Sequence, residues 1–370
     1  MIRIFPISLL FLVCQLTFSG AAAQTAVSSY RPGVTPEGAV YYLPQTTLHI
    51  SVLVERTAYE PGDFASYAKR YLRLQDVSLE PSVSHRVVSI TQTPIGTADP
   101  EKVYSIRFDA RTVAANVALA DDGRLLSLNA EPRAERLPAP FKPYAGNTPL
   151  PSPRQFMSEE IIAAGSTAKM AELTSQEIYD LRENRNLLIK GQADFMPKDG
   201  QQLKLMLARL DTQESALRSL FEGVTVRDTT EYVITFTPEA RHAAGRTKTV
   251  LFRLSQQLGM VDADDLSGEP FYIAVEDITP QPQEEEEPGA KKKAAKKKEY
   301  EAGVYVNIPG RMRSTIFQGI DQIGQAEFPA AQFGSVELLS ADLFNKRYTT
   351  QLWLSPVTGA VERLQAEMKK

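Results

Sequence analysis

Six prolines, Pro138, Pro140, Pro143, Pro149, Pro151 and Pro153, crowd into one short stretch of the chain. Each fixes φ at about −65° and removes a backbone donor, so the stretch can continue neither a helix nor a central strand. It predicts a stiff, extended linker over 138–158 that separates an N-terminal part of the chain from a C-terminal one.

Ahead of that linker the pattern is one of β-structure. Over Thr47–Glu55, Leu48, Ile50, Val52 and Val54 fall on one face and His49, Ser51 and Glu55 on the other, with Leu53 the exception. Val83–Ile95, Val103–Phe108 and Val113–Leu119 read similarly. Asp121-Asp122-Gly123 joins Val117–Leu119 to Leu125–Leu128 as a hairpin, because Gly tolerates positive φ. One helix is expected among these strands, opened by Pro61-Gly62-Asp63, with Phe64, Tyr67, Ala68, Tyr71 and Leu72 at helical spacing. Residues 46–137 are therefore expected to form a β-rich domain with one helix, after an extended lead-in over 24–45 rich in Pro, Gly, Ser and Thr.

Beyond the linker, 159–223 predicts a helical hairpin. Thr174 and Glu177 have the spacing of a capping box for a first helix that stops at Gly191. Asp199 caps a second, whose apolar face is Leu203, Met206, Leu207, Leu210, Leu217, Leu220 and Phe221, and Gly223 ends it. The short Asp194-Phe195-Met196-Pro197 connection makes the pair antiparallel. Over 224–370 the pattern returns to strands, at Tyr232–Phe236, Thr249–Leu254, Phe271–Val275, Val304–Ile308, Val336–Leu339, Thr349–Leu354 and Ala360–Leu364, with Pro356-Val357-Thr358-Gly359 as a final hairpin turn. That spacing suggests an antiparallel sandwich or open barrel. Within it, 281–299 carries Glu284–Glu287 and then Lys291–Lys293 and Lys296–Lys298, and has no apolar core to bury. It is expected to be a disordered charged insert; as a basic hook for anionic lipid it would be largely neutralised by its own acidic run. The fold class expected is α+β: a β-rich N-terminal domain, a helical hairpin, and a C-terminal antiparallel β-sandwich-like domain.

The first residues predict export. Arg3, the apolar Ile4–Phe18 and the small Ala21-Ala22-Ala23 make a signal peptide over 1–23, cleaved between Ala23 and Gln24. The only cysteine, Cys14, lies inside that segment, so the mature chain is expected to have no disulfide, thiolate metal site or cysteine nucleophile. That segment predicts a location in the periplasm or cell envelope, and no later stretch is apolar enough to span a membrane. Without its first 23 residues it still exceeds the ~250–300 residues at which a single core stops growing. A net charge of −4 gives no reason to expect a nucleic-acid partner.

Candidate chemistry is sparse. Ser166-Thr167-Ala168-Lys169 and Ser66-Tyr67-Ala68-Lys69 both match the S-x-x-K of serine acyl-enzymes, but neither is followed by K-T-G. His49, His85 and His242 lack the spacing of a zinc site and read as surface histidines. Asp262, Asp264 and Asp265 miss the Gly and Glu positions of a calcium loop and read as an acidic turn. Glu159-Glu160 opens a helix, where negative charge suits the dipole. The aromatics Tyr30, Tyr41, Tyr42, Tyr59, Phe64, Tyr67 and Tyr71 could form an exposed platform, but at this spacing they read as core. No cofactor or metal is expected, and no catalytic residue is assigned.

Several segments resemble an uncharacterised family of exported Bacteroidetes proteins, a domain of unknown function. They are Glu60–Phe64 with Tyr67–Leu72, Thr174–Arg182, Ser267-Gly268-Glu269-Pro270, Ala331-Gln332-Phe333-Gly334 and the Pro356–Gly359 turn. The resemblance implies an envelope setting and brings no activity. The function expected is non-catalytic: binding or scaffolding another envelope protein or a surface glycan. The alternative is a periplasmic hydrolase whose residues meet only in three dimensions.

Overall fold

The structure, a computed structural model, describes residues 26–29, 38–107, 116–143, 150–243, 247–280, 303–344 and 348–368. The signal segment with its Ala23–Gln24 cleavage site, Cys14, Tyr30 and the charged insert 281–299 lie outside these residues.

The protein is α+β and rich in strand. In chain order the elements are β1 (Ala26–Ser29), β2 (Gly38–Glu60), α1 (Ala68–Tyr71), β3 (Ser82–Arg107), β4 (Val117–Leu119) and β5 (Leu125–Leu128). Then come α2 (Glu159–Ile162), α3 (Thr167–Lys190), α4 (Gly200–Glu222), β6 (Val224–Phe236), β7 (Thr249–Ser255), β8 (Gly259–Val261) and β9 (Glu269–Asp277). β10 (Gly303–Gln318), β11 (Asp321–Ser340), β12 (Tyr348–Leu354) and β13 (Val361–Met368) complete the set. The strands form three antiparallel sheets, in the orders β1-β3-β2-β6, β11-β10-β9-β7-β8 and β13-β12-β5-β4.

β2 is the spine. Leu48, Ile50, Val52 and Val54 are buried on one face, as the alternation predicts, and pack on Phe252, Phe271, Ile273, Val275, Met312 and Ile316 of the second sheet. Each such side chain, fully buried, contributes about 1.5–3 kcal/mol. The strand starts earlier than expected: within the predicted lead-in, Tyr41 and Leu43 are already fully buried, in a second core with Ile106, Leu125, Leu128, Val304, Val306, Phe344 and Leu352. Backbone bulges at Tyr42/Pro44 and Leu53/Val54 let one strand serve both cores. β3 likewise fuses two of the expected strands into one.

Strand pairing crosses the boundary expected at the prolines. β6, directly after the helical hairpin, pairs with β2 from Leu48↔Phe236 to Glu60↔Val224. β5 pairs with β12 at Leu352↔Leu128 and Trp353↔Ser127. Sequence patterning shows which residues are strands, but not which strands are neighbours, so the domain limits 46–137 and 224–370 do not delimit the sheets.

Residues 131–143, which lead into the proline-rich stretch, form a strap tied down at both ends. The Trp353 indole donates to the Glu131 carbonyl at 3.1 Å, and the Phe141 amide donates to Glu231 at 2.9 Å on the outer side of the first sheet. Phe156 and Met157 then pack on the helices. An extended, proline-rich path suits such a surface course because it needs few backbone partners of its own.

Three polar joints hold the sheets together. The Asn307 amide donates at 2.8 Å to both the Pro44 and the Thr358 carbonyls. Gln332 accepts from the Thr46 amide at 3.0 Å and donates back to the Thr46 carbonyl at 2.9 Å. Arg124, almost fully buried, is held by Asp122 and Glu135 and donates to the Pro356 carbonyl.

Candidate docking site at the end of the helical hairpin

α3 begins two turns before the expected capping box. Its cap is Ser166, whose hydroxyl accepts from the Lys169 amide at 3.3 Å. Thr174 lies inside the helix, fully buried, and donates to the Met170 carbonyl at 2.8 Å. The Ser166…Lys169 motif is thus a helix cap, with the Lys169 ammonium paired to Glu172 at 3.1 Å. The other helix signals hold: Gly191 ends α3 at φ 71°, and Asp199 caps α4 by accepting from the Gln202 amide at 2.7 Å.

The base of this hairpin is packed from several sides. Phe64 and Ala68 of the short helical segment after β2 are buried against Ala171, Ile178, Leu181, Leu217, Leu220 and Phe221, and Phe156 and Met157 close the cluster. Phe64 and Phe221 meet at a ring separation of 5.4 Å. The backbones come so close that a Cβ on Gly62 would sit 2.2 Å from the Leu220 carbonyl oxygen.

Towards the connecting turn that covering stops. Leu187 and Met206 are only half-buried, as is Leu210 at the edge of the covered cluster, and with Leu188 they line an open groove of about 390 Å³ whose polar lining is Asn184, Asp194, Arg209 and Gln213. Phe195, in the turn, is 88% exposed, and Ile189 and Leu205 are also exposed. Arg182 and Glu214, 2.7 Å apart, tie the two helices together just below the groove. The groove was legible only in part: the Leu203–Phe221 stripe reads as a face, but nothing local distinguishes its covered half from its open half.

The other candidates fall elsewhere. His242 is buried, a correction to its surface assignment; its Nδ1 accepts from the Glu239 amide at 2.9 Å, and its ring lies 5.4 Å from that of Phe236. His85 is half-buried, its ring edge against Gly259, and its amide donates to the Gln256 carbonyl at 2.8 Å. Glu231 has its carboxyl held below the usual carboxylate range, by the Ser51 hydroxyl most, then by the Phe141 amide, with a smaller contribution from His49, half-buried on β2. Asp262–Asp265 is a turn between β8 and β9, in which Asp265 accepts from the Ser267 amide at 2.9 Å. Ser66 is exposed, and so is Lys69, its partner in the S-x-x-K pattern, in α1. Tyr41 and Phe64 are core, and burial pushes the Tyr41 hydroxyl well up. Among the described residues no group of three His, Cys, Asp or Glu side chains is placed to hold a metal, and no helix is long and apolar enough to cross a membrane.

Fold and surface together define an α+β protein of three antiparallel sheets that carries a helical hairpin with an open apolar end. The chain belongs to the family described as Domain of unknown function (DUF4831), whose match covers residues 37–362. No curated protein and no solved structure matches it.

Proposed function

We propose that this chain is a non-catalytic binding protein, exported to the cell envelope of a Bacteroidetes cell, that holds an amphipathic helix of another envelope protein in the groove at the end of its helical hairpin. The observation that carries this reading is the contrast between the two halves of one hairpin. At the base, helical segments cover the apolar faces of α3 and α4; towards the turn, Leu187, Met206 and Leu210 stay half-buried around a groove between the same two helices. Because the covered half is completed by helical segments, a helix with anchors at i, i+3, i+4 and i+7 is the occupant that completes the open half. Export is supported by the Arg3, Ile4–Phe18 and Ala21–Ala23 pattern.

The test is a photo-crosslinking residue at Leu187 in the full chain, expressed in its own host, followed by fractionation of the envelope. One protein adduct, mapped to an amphipathic helix and abolished by Leu210→Glu in a variant that melts like the parent, is expected. An adduct that persists in Leu210→Glu, or a glycan in its place, would overturn the helix assignment; a cytoplasmic location would overturn export.

A further inference from the structure

A second exposed apolar surface lies on the five-stranded sheet, where three turns meet at one end. The β7–β8 turn comes after the pair Ser255↔Gly259, the 262–268 turn leads into Glu269, and the β10–β11 turn comes after Gln318↔Asp321. The first turn is held by the His85 amide, which donates to the Gln256 carbonyl at 2.8 Å, and the other two are fastened to the sheet and to each other. The Gly319 amide donates to the Pro270 carbonyl at 3.1 Å, and Gln318 Nε2 donates to Glu269 at 2.8 Å. Arg253 donates to the Ala263 carbonyl at 2.7 Å and to the Gly268 carbonyl at 3.1 Å. From this tied frame Leu258, Leu266 and Ile320 stand 67%, 81% and 90% exposed.

Large aliphatic side chains this exposed, on three neighbouring turns held by hydrogen bonds, cost solvation without serving the core. Their charged surroundings are mainly acidic. Asp262, Asp264, Asp265, Glu269 and Asp321 lie on the same turns, while residues 256–269 and 318–325 contain no Lys or Arg. Of the neighbouring cations, Arg253 is engaged with backbone carbonyls and the Lys248 ammonium lies over the Phe317 ring, 3.7 Å from its centre.

We propose that this end of the sheet is an interaction surface for a partner protein segment that presents apolar groups flanked by Lys and Arg. Leu258, Leu266 and Ile320 act as the anchors, and the ring of carboxylates selects and steers a basic partner. The same ring repels an anionic bilayer, which an exposed apolar loop set would otherwise suit. This surface shares no residue with the hairpin groove and stands whether or not that groove binds a helix.

The full chain should be titrated with three probes: a synthetic amphipathic peptide of Leu and Lys, its counterpart of Leu and Glu, and phosphatidylglycerol vesicles. The Leu/Lys peptide should bind, more weakly as salt rises, and should lose about tenfold or more in affinity to a Leu266→Ser, Ile320→Ser variant. Both substitutions are at exposed tips, so the fold tolerates them. The loss should be the same when both proteins also carry Leu210→Glu, which removes any binding of the peptide at the hairpin groove. Equal binding of the Leu/Glu peptide, recruitment to the vesicles, or unchanged affinity in the tip variant would each overturn the assignment.

Discussion

Arg124 and Glu135 form a two-point ion pair, Nη1 to Oε1 at 3.3 Å and Nη2 to Oε2 at 3.1 Å, that fastens the proline-rich strap to the start of β5. The guanidinium is nearly inaccessible, while the two carboxylates it serves, on Asp122 and Glu135, keep some contact with water. The asymmetry decides which deletion is worse. Glu135→Gln leaves Arg124 with Asp122 and the Pro356 carbonyl, and should cost about 1–2 kcal/mol; Arg124→Ala also empties the joint between three elements and should cost about 3 kcal/mol or more. Urea unfolding of the two variants checks the order.

Gly62 and Gly191 should respond differently to alanine. Gly191 needs its positive φ of 71° but has open space around it, so Gly191→Ala should cost about 1 kcal/mol. At Gly62 a methyl group would meet the Leu220 backbone, so the hairpin must move away from the end of β2. A clearly larger drop in thermal stability is expected for Gly62→Ala, with lost protection of the α4 amides in hydrogen exchange.

The corrected start of α3 makes a pair of opposite expectations. Ser166→Ala removes the cap and should cost about 1 kcal/mol. Thr174→Val replaces a buried hydroxyl whose partner, the Met170 carbonyl, sits within the helix, and should be near neutral. Were Thr174 the cap, the two results in urea unfolding would be reversed.

Glu231 should make the strap sensitive to acid. Its folded pKa is depressed, so the stability it contributes is present above the unfolded carboxyl value, near 4.5, and is lost as pH falls through the lower folded value. Between those two values the Phe141 amide should lose protection from hydrogen exchange in the parent. Glu231→Gln should flatten that dependence.

Local features were the ones legible in advance. Alternation located the buried face of β2, Asp121-Asp122-Gly123 and Pro356–Gly359 marked real hairpins, and Gly191 and Asp199 marked real helix ends. The errors have one origin. Thr174 and Glu177 satisfy a capping pattern, but tertiary burial extends the helix through them. Tyr41 and Leu43 sit among Pro, Gly and Thr, and become strand because Val304, Val306 and Leu352 cover them from far along the chain. Partners such as Gln332 for Thr46, or Pro356 for Arg124, have no signature near either residue. The open apolar surfaces have none either, since exposure is what remains after every long-range contact has been made.

The exchange of strands across the proline strap also sets when this protein can become itself. Arg124 waits for a carbonyl 232 residues later, and Thr46 for an amide side chain 286 residues later. A topology so dominated by distant pairings has a high contact order, and closing those loops before any contact rewards them makes folding slow. The core around Leu48 cannot be finished before Met312, Ile316 and Ala330 of β10 and β11 are made, nor the core around Tyr41 before Leu352 and Leu354 of β12. The nascent chain therefore stays pliable until its far end arrives, and only then commits.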